Sequence, residues 1–149
     1  MLLLALLPVL ASALPATYFN IFGLNACDEH IPETQHFISF QVSNPNAVYE
    51  QGGNEVANCS IKWNTSAPLC WTSCSTNGYP VWYTHLTPNY NPSNGYYYGN
   101  FSLDIAEYYV YSAPVLNNVS VIAEVGLEGH TCSNGAQSSE CGIWSGYLP

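Results

Sequence analysis

Period-two alternation of apolar and polar residues constrains this chain more than any other feature. From His36 to Val42, "HFISFQV" sets Ile38, Phe40 and Val42 on one face and Phe37, Ser39 and Gln41 on the other. In "VANCSIKW" Ala57, Cys59, Ile61 and Trp63 alternate with Asn58, Ser60 and Lys62. "YYYGNFSLDI" sets Phe101, Leu103 and Ile105 against Asn100, Ser102 and Asp104, and "NVSVIAEVGL" repeats the pattern with Val119, Val121, Ala123 and Val125. "VWYTHL", from Val81 to Leu86, is aromatic and β-branched. Successive side chains of a strand point to opposite faces, so these runs read as strands buried on one side. Between them lie "SNPN", "EQGGNE", "TNGYP" and "TPNYNPSNG", the Asn, Gly and Pro chemistry of turns. After the first residues no helix-period segment exceeds two turns. The prediction is an all-β chain: a small, disulfide-stapled antiparallel β-barrel or sandwich. The irregular piece "LTPNYNPSNGYYYGN" reads as an extended hairpin arm.

The chain opens with "MLLLALLPVLASALPATYF", an apolar run that reaches a small-x-small site at Ala11-Ser12-Ala13. This has the shape of a secretory signal peptide over residues 1–13, with cleavage as late as about residue 17. The run is much shorter than the ~20 residues a membrane span needs. Residues 14–149 then form a single domain holding all six cysteines, and the expected location is extracellular.

"CSIKWNTSAPLCWTSC", Cys59 to Cys74, holds three of those cysteines. Cys70 and Cys74, with His130 and Cys132, have loosely zinc-like spacing, but structural zinc prefers tighter knuckles. A redox centre wants Cys-x-x-Cys at a helix start, and neither is present. Staples are the better reading. Cys59 lies on the inward face of its strand and Cys74 on the strand that follows, which puts them within reach of each other. Cys132 and Cys141 close the short turn-like loop "CSNGAQSSEC". Cys27 and Cys70 remain as a long-range pair inside the barrel. The sequence alone leaves other connectivities open. Trp71 is expected over or beside the Cys59–Cys74 bridge. No metal and no cofactor are expected.

The run Cys59-Ser60, then "Trp71-Thr72-Ser73-Cys74", resembles the core motif of the Alternaria major-allergen-like family of secreted fungal proteins. "YFNIFGLNAC" and "ISFQVSNPN" are similar to the family's first strands, and a short terminal cysteine loop recurs as Cys132 to Cys141. The resemblance implies a compact all-β barrel of effector or allergen type, with no enzymatic activity established for the family as a whole. In the founding allergen an N-terminal cysteine crosslinks a dimer, and Cys27 is the candidate counterpart. Cys70 departs from that pattern and offers Cys27 an internal partner instead, so a homodimer is not assured.

Charge narrows the function. One basic residue, Lys62, faces ten carboxylates, and there is no arginine. A nucleic-acid binder needs cations to displace phosphate counterions, so nucleic acids and anionic membranes are not expected partners. A ribonuclease would draw on His30, His36, His85 or His130 with Lys62 as its cation. A glycoside hydrolase needs two carboxylates across a cleft, for which Asp28 with Glu29 and Asp104 with Glu107 are the pairs to consider. Neither constellation is convincing, and no catalytic residue is assigned. Four tryptophans and twelve tyrosines exceed the needs of a core this size. Amphipathic aromatics anchor interfaces and stack on sugars. Tyr79, Trp82, Tyr83, Tyr96, Tyr97 and Tyr98 are the candidate interface aromatics. Asn64, Asn100 and Asn118 head N-glycosylation sequons, as does Asn58, the poorest of them because its middle residue is a bridge cysteine. The expected function is that of a secreted effector- or allergen-like protein that binds a host or extracellular partner, a protein or a small ligand or glycan. The alternative is a secreted cell-wall glycan-binding protein or glycan hydrolase.

Overall fold

The computed structural model describes residues 19–30, 34–47, 55–76, 78, 80–87, 100–111, 113–123 and 129–143. The expected signal peptide over residues 1–13 and most of the expected hairpin arm, residues 88–99, lie outside the described residues. The strands are β1 (Asn20–Glu29), β2 (Gln35–Ser43), β3 (Ala57–Trp63), β4 (Thr72–Ser73), β5 (Val81–Thr87), β6 (Phe101–Tyr111), β7 (Ala113–Ala123), β8 (His130–Asn134) and β9 (Ser138–Ile143). They form two antiparallel sheets, one ordered β3-β2-β1-β9-β8 and the other β4-β5-β6-β7.

The alternation read from the sequence decides which faces meet. Ile38, Phe40 and Val42 of β2 and Ala57, Cys59 and Ile61 of β3 are buried against Leu86, Phe101, Leu103 and Ile105 of the second sheet. Each such face withdraws apolar area from water, worth about 25 cal/mol per Å². The result is a sandwich and not a closed barrel. Among the described residues the sheets are joined along one side by a rung where Asn58 and Ser75 exchange backbone hydrogen bonds of 3.1 and 2.8 Å. The Cys59–Cys74 bridge sits beside that rung and joins an edge of one sheet to an edge of the other. Cys132 and Cys141 are paired across β8 and β9.

Both of those pairings match the expectation, but the third does not. Cys27 and Cys70 are free thiols. The reason is parity. Counting by twos from buried Ile21 would bring Cys27 to the core face. The register of β1 on β2 instead shifts between Phe22 and Asn25. Gly23 sits in that bulge at φ 61°, a left-handed conformation that glycine adopts without the Cβ penalty. Leu24 and Ala26 take the inward positions, and Cys27 points out beside Glu140. Cys70 is exposed in the loop before β4, too far from that two-residue strand for its parity to apply.

Among the described residues a carboxylate enters the core. Glu107 is fully buried opposite Trp82 of β5 and Asn117 of β7. Its Oε2 accepts hydrogen bonds from Asn44 Nδ2 at 2.7 Å and Asn117 Nδ2 at 2.9 Å. Its Oε1 and the indole Nε1 of Trp82 have no hydrogen-bond partner.

Candidate functional site

The outer face of the four-stranded sheet brings together residues that are far apart in sequence. Thr72 pairs with Thr84, so Trp71 stands next to His85 at the β4 edge. His85 pairs with Asp104, and Asp104 with Ser120. Trp71, His85, Asp104 and Ser120 therefore form one row across the whole sheet. Cross-strand neighbours of this kind lie about 5 Å apart and interact directly.

The row is ordered by its own contacts. Ser120 Oγ donates to Asp104 Oδ1 at 2.6 Å, and Thr87 Oγ1 donates to Asp104 Oδ2 at 3.1 Å. His85 Nδ1 lies 3.6 Å from the same Oδ2. The Trp71 ring is tilted over the His85 ring at 5.4 Å between centroids and remains 45% exposed. On either side of Asp104 the central strand carries short side chains, Ser102 and Ala106, and both are buried, whereas Asp104 keeps 24% of its side chain exposed. Tyr83 is half-buried one row away, and Leu116 and Ile122 of β7 are exposed at 67% and 49%. The arrangement can do three things. It can stack a flat ligand on Trp71, accept hydrogen bonds at Asp104, and disfavour anions, because no lysine or arginine lies in the row to offset Asp104.

Two other places gather polar side chains. A polar row ends the inner face of the five-stranded sheet. His36 Nδ1 meets Asp28 Oδ1 at 2.8 Å, with the His36 ring stacked on Trp63 at 5.1 Å. In the same region Ser139 Oγ lies 3.1 Å from His30 Nε2. The serine thus contacts one imidazole and the aspartate contacts another, whereas a hydrolase relay runs through a single ring. On the outer face of that sheet is an open depression of about 320 Å³ lined by Gly23, Ser39, Gln41, Asn58, Ser60 and Ser75 among others. It offers amides and hydroxyls but no outward aromatic or titratable side chain.

The sequence-derived candidates fare unevenly. Trp82 is not an interface aromatic: it is fully buried, edge-on to Phe19 at 4.8 Å. Tyr83 is partly exposed, and Tyr79, Tyr96, Tyr97 and Tyr98 lie outside the described residues. Trp71 does not cover the Cys59–Cys74 bridge. Cys74 is buried, and Trp71, three residues earlier, is on the opposite face against His85. Neither carboxylate pair converges. Asp104 is on the outer face of β6 and Glu107 is in the core, while Asp28 and Glu29 are adjacent and face opposite ways. Asn64 and Asn118 are exposed, and Asn100 is half-buried. Asn58 is exposed but tied to Ser75 by its backbone and to Gln41 by its side chain. Lys62 lies 4.8 Å above the Phe37 ring, on the other sheet from the Trp71 row. Among the described residues no group of three or more His, Cys, Asp or Glu is placed to hold a metal ion.

His85, Ser120 and Thr87 were not singled out from the sequence for this site. Alternation marks each of them as outward or loop-proximal, but only strand registers put them in one row. Compared with known protein families, curated proteins and solved structures, the chain has no match.

Proposed function

We propose that this chain is a secreted, disulfide-stapled binding protein of the effector or allergen type, resembling the Alternaria major-allergen-like proteins, and that it meets its extracellular partner with the outer face of the β4-β5-β6-β7 sheet. The observation that carries this reading is the row Trp71–His85–Asp104–Ser120. It presents a half-exposed indole and, two strands away on the same face, a carboxylate already held by two hydroxyls. Binding sites are marked by such aromatic anchors next to a few fixed polar groups. The two disulfides fit an oxidising compartment and support the secreted reading. Binding is preferred to hydrolysis because neither candidate carboxylate pair shares a cleft.

The test has two parts. The full chain expressed in a fungal host should appear in the medium without its first 13 to 17 residues; retention in the cell would remove the secreted reading. The purified protein, immobilised beside its Trp71→Ala variant, is then exposed to plant extracellular fluid. Wild type should retain material that the variant does not. Identical retention by both would exclude this face.

A further inference from the structure

We infer that the Trp71–His85–Asp104–Ser120 row binds a neutral saccharide. This rests on the reading of that face as the binding surface and names its ligand. A pyranose ring has an apolar face of C–H groups and an edge of hydroxyl donors. The row offers the complement of both, an exposed indole and a carboxylate two strands away. An ionised carboxylate has room for about four hydrogen bonds. Ser120 and Thr87 supply one to each oxygen of Asp104, which leaves outward lone pairs for a sugar's hydroxyls. Those two hydroxyls also fix the carboxylate before any ligand arrives, and His85 backs the Trp71 ring. Little side-chain freedom is then lost on binding. Ser102 and Ala106, which flank Asp104 on β6, are buried, while the Asp104 side chain keeps 24% of its surface exposed, and that exposed part is where a sugar's hydroxyls would meet it.

Other ligand classes fit less well. A phosphate, sulfate or uronate would meet Asp104 with no lysine or arginine beside it. Lys62, the chain's single basic side chain, is on the other sheet, and the formal net charge is −9. A wholly apolar ligand would cover Asp104 without giving its carboxylate a donor, which is costly. A protein partner could use exposed Leu116 and Ile122, but it would leave the Asp104 oxygens needing donors from a matched surface.

The experiment is titration calorimetry of the secreted protein with cellohexaose, chitohexaose, laminarihexaose and a soluble mannan up to millimolar concentration, with polygalacturonate as the anionic control. An Asn118→Gln chain is titrated in parallel, since a sugar attached at Asn118 would share this face. At least one neutral glycan should bind, and polygalacturonate should not. Trp71→Ala and Asp104→Asn should each weaken binding about tenfold or more, with the native circular dichroism spectrum retained, since the asparagine keeps an acceptor for the hydroxyls that hold Asp104 and Trp71 is half-exposed. Three results would overturn the proposal: no heat with any neutral glycan, equal affinity for polygalacturonate, or affinity unchanged in both variants. If the saccharides are silent while a protein from extracellular fluid is retained in a Trp71-dependent manner, the saccharide assignment fails and the binding face stands. If Trp71→Ala changes neither assay, both fail.

Discussion

Removing the Cys59–Cys74 bridge should destabilise this protein more than removing Cys132–Cys141, and the structure sets the size of the difference. Cys59 and Cys74 are separated by 15 residues. Closing a loop of that length restricts the unfolded chain by about 3 kcal/mol. Both sulfurs are also in the core, with the two residues only 2% and 8% exposed. Replacing each cysteine by alanine leaves a small void, about 1 kcal/mol apiece. The double variant Cys59→Ala/Cys74→Ala should therefore lose about 5 kcal/mol, which lies at the edge of the total stability of a domain. Cys132 and Cys141 are 9 residues apart. That loop is worth about 2.5 kcal/mol, and Cys132 is on an exposed edge strand, so only Cys141 leaves a void. The assay is urea unfolding followed by near-ultraviolet circular dichroism, where Trp82 and Trp63 report on the core. Should the first variant fail to fold, mild reduction of the wild type followed by the same titration gives the comparison. The reasoning is wrong if the Cys132–Cys141 variant is the less stable of the two. It is equally wrong if the Cys59–Cys74 variant loses under about 2 kcal/mol, since loop entropy alone exceeds that.

Thiol titration of the denatured, unreduced protein should find two sulfhydryls, Cys27 and Cys70. In the native protein exposed Cys70 should be alkylated first. Cys27 should lag and react well only at higher pH, because burial first, then the carboxylates of Glu140, Glu29 and Asp28, raise its pKa and keep it protonated. A Cys27 rate that matches an ordinary exposed thiol at neutral pH would contradict this. Glu107→Ala should cost about 3 kcal/mol or more in urea unfolding, since it strands the Asn44 and Asn117 amides that Oε2 now accepts; a neutral effect would mean those bonds do not matter. Single-stranded RNA should show no binding at physiological salt in a filter assay, and a steep salt-dependent signal would refute the charge argument.

Much of the sandwich was legible because alternation is a local property. β3 is the clearest case, its exposure switching at every residue from Ala57 to Trp63. The Cys59–Cys74 bridge followed from the same parity. What failed did so where parity breaks or ends. The bulge at Gly23 turned Cys27 outward, and a bulge inserts its extra residue without changing composition. β4 is two residues long, so Cys70 lies in a loop and the strand-based count for it has no meaning. Trp82 reads as an interface anchor because "GYPVWY" is rich in aromatics. Pairing against β6 places it opposite buried Glu107 instead. The Trp71 row was illegible because its members come from three strands and the residue that precedes a fourth, and a row exists only once three registers are known.

The same strand, β6, shows how the interior and the candidate site depend on each other. Asp104 and Glu107 are three residues apart, an odd spacing that puts them on opposite faces. A slip of β6 by one residue would expose Glu107 and drive Asp104 into the apolar core, so the two carboxylates together penalise every odd register. The Glu107–Asn117 contact at 2.9 Å selects among the even ones, because a shift of two residues would part the carboxylate from its amide donor. The register held in this way is the one that aligns Asp104 with Ser120 and His85. The buried carboxylate thus acts as a register pin for the exposed one. Glu107→Gln keeps the size and one acceptor of the pin, so it should preserve the Asp104–Ser120 alignment. Glu107→Leu removes both acceptors and should loosen it. Amide hydrogen exchange along β6 and β7 separates the two cases. Faster exchange in Glu107→Leu at Asp104 to Tyr108, with near-native rates in Glu107→Gln, is the expected outcome. Equal protection in both variants would show that the apolar alternation holds the register without the carboxylate.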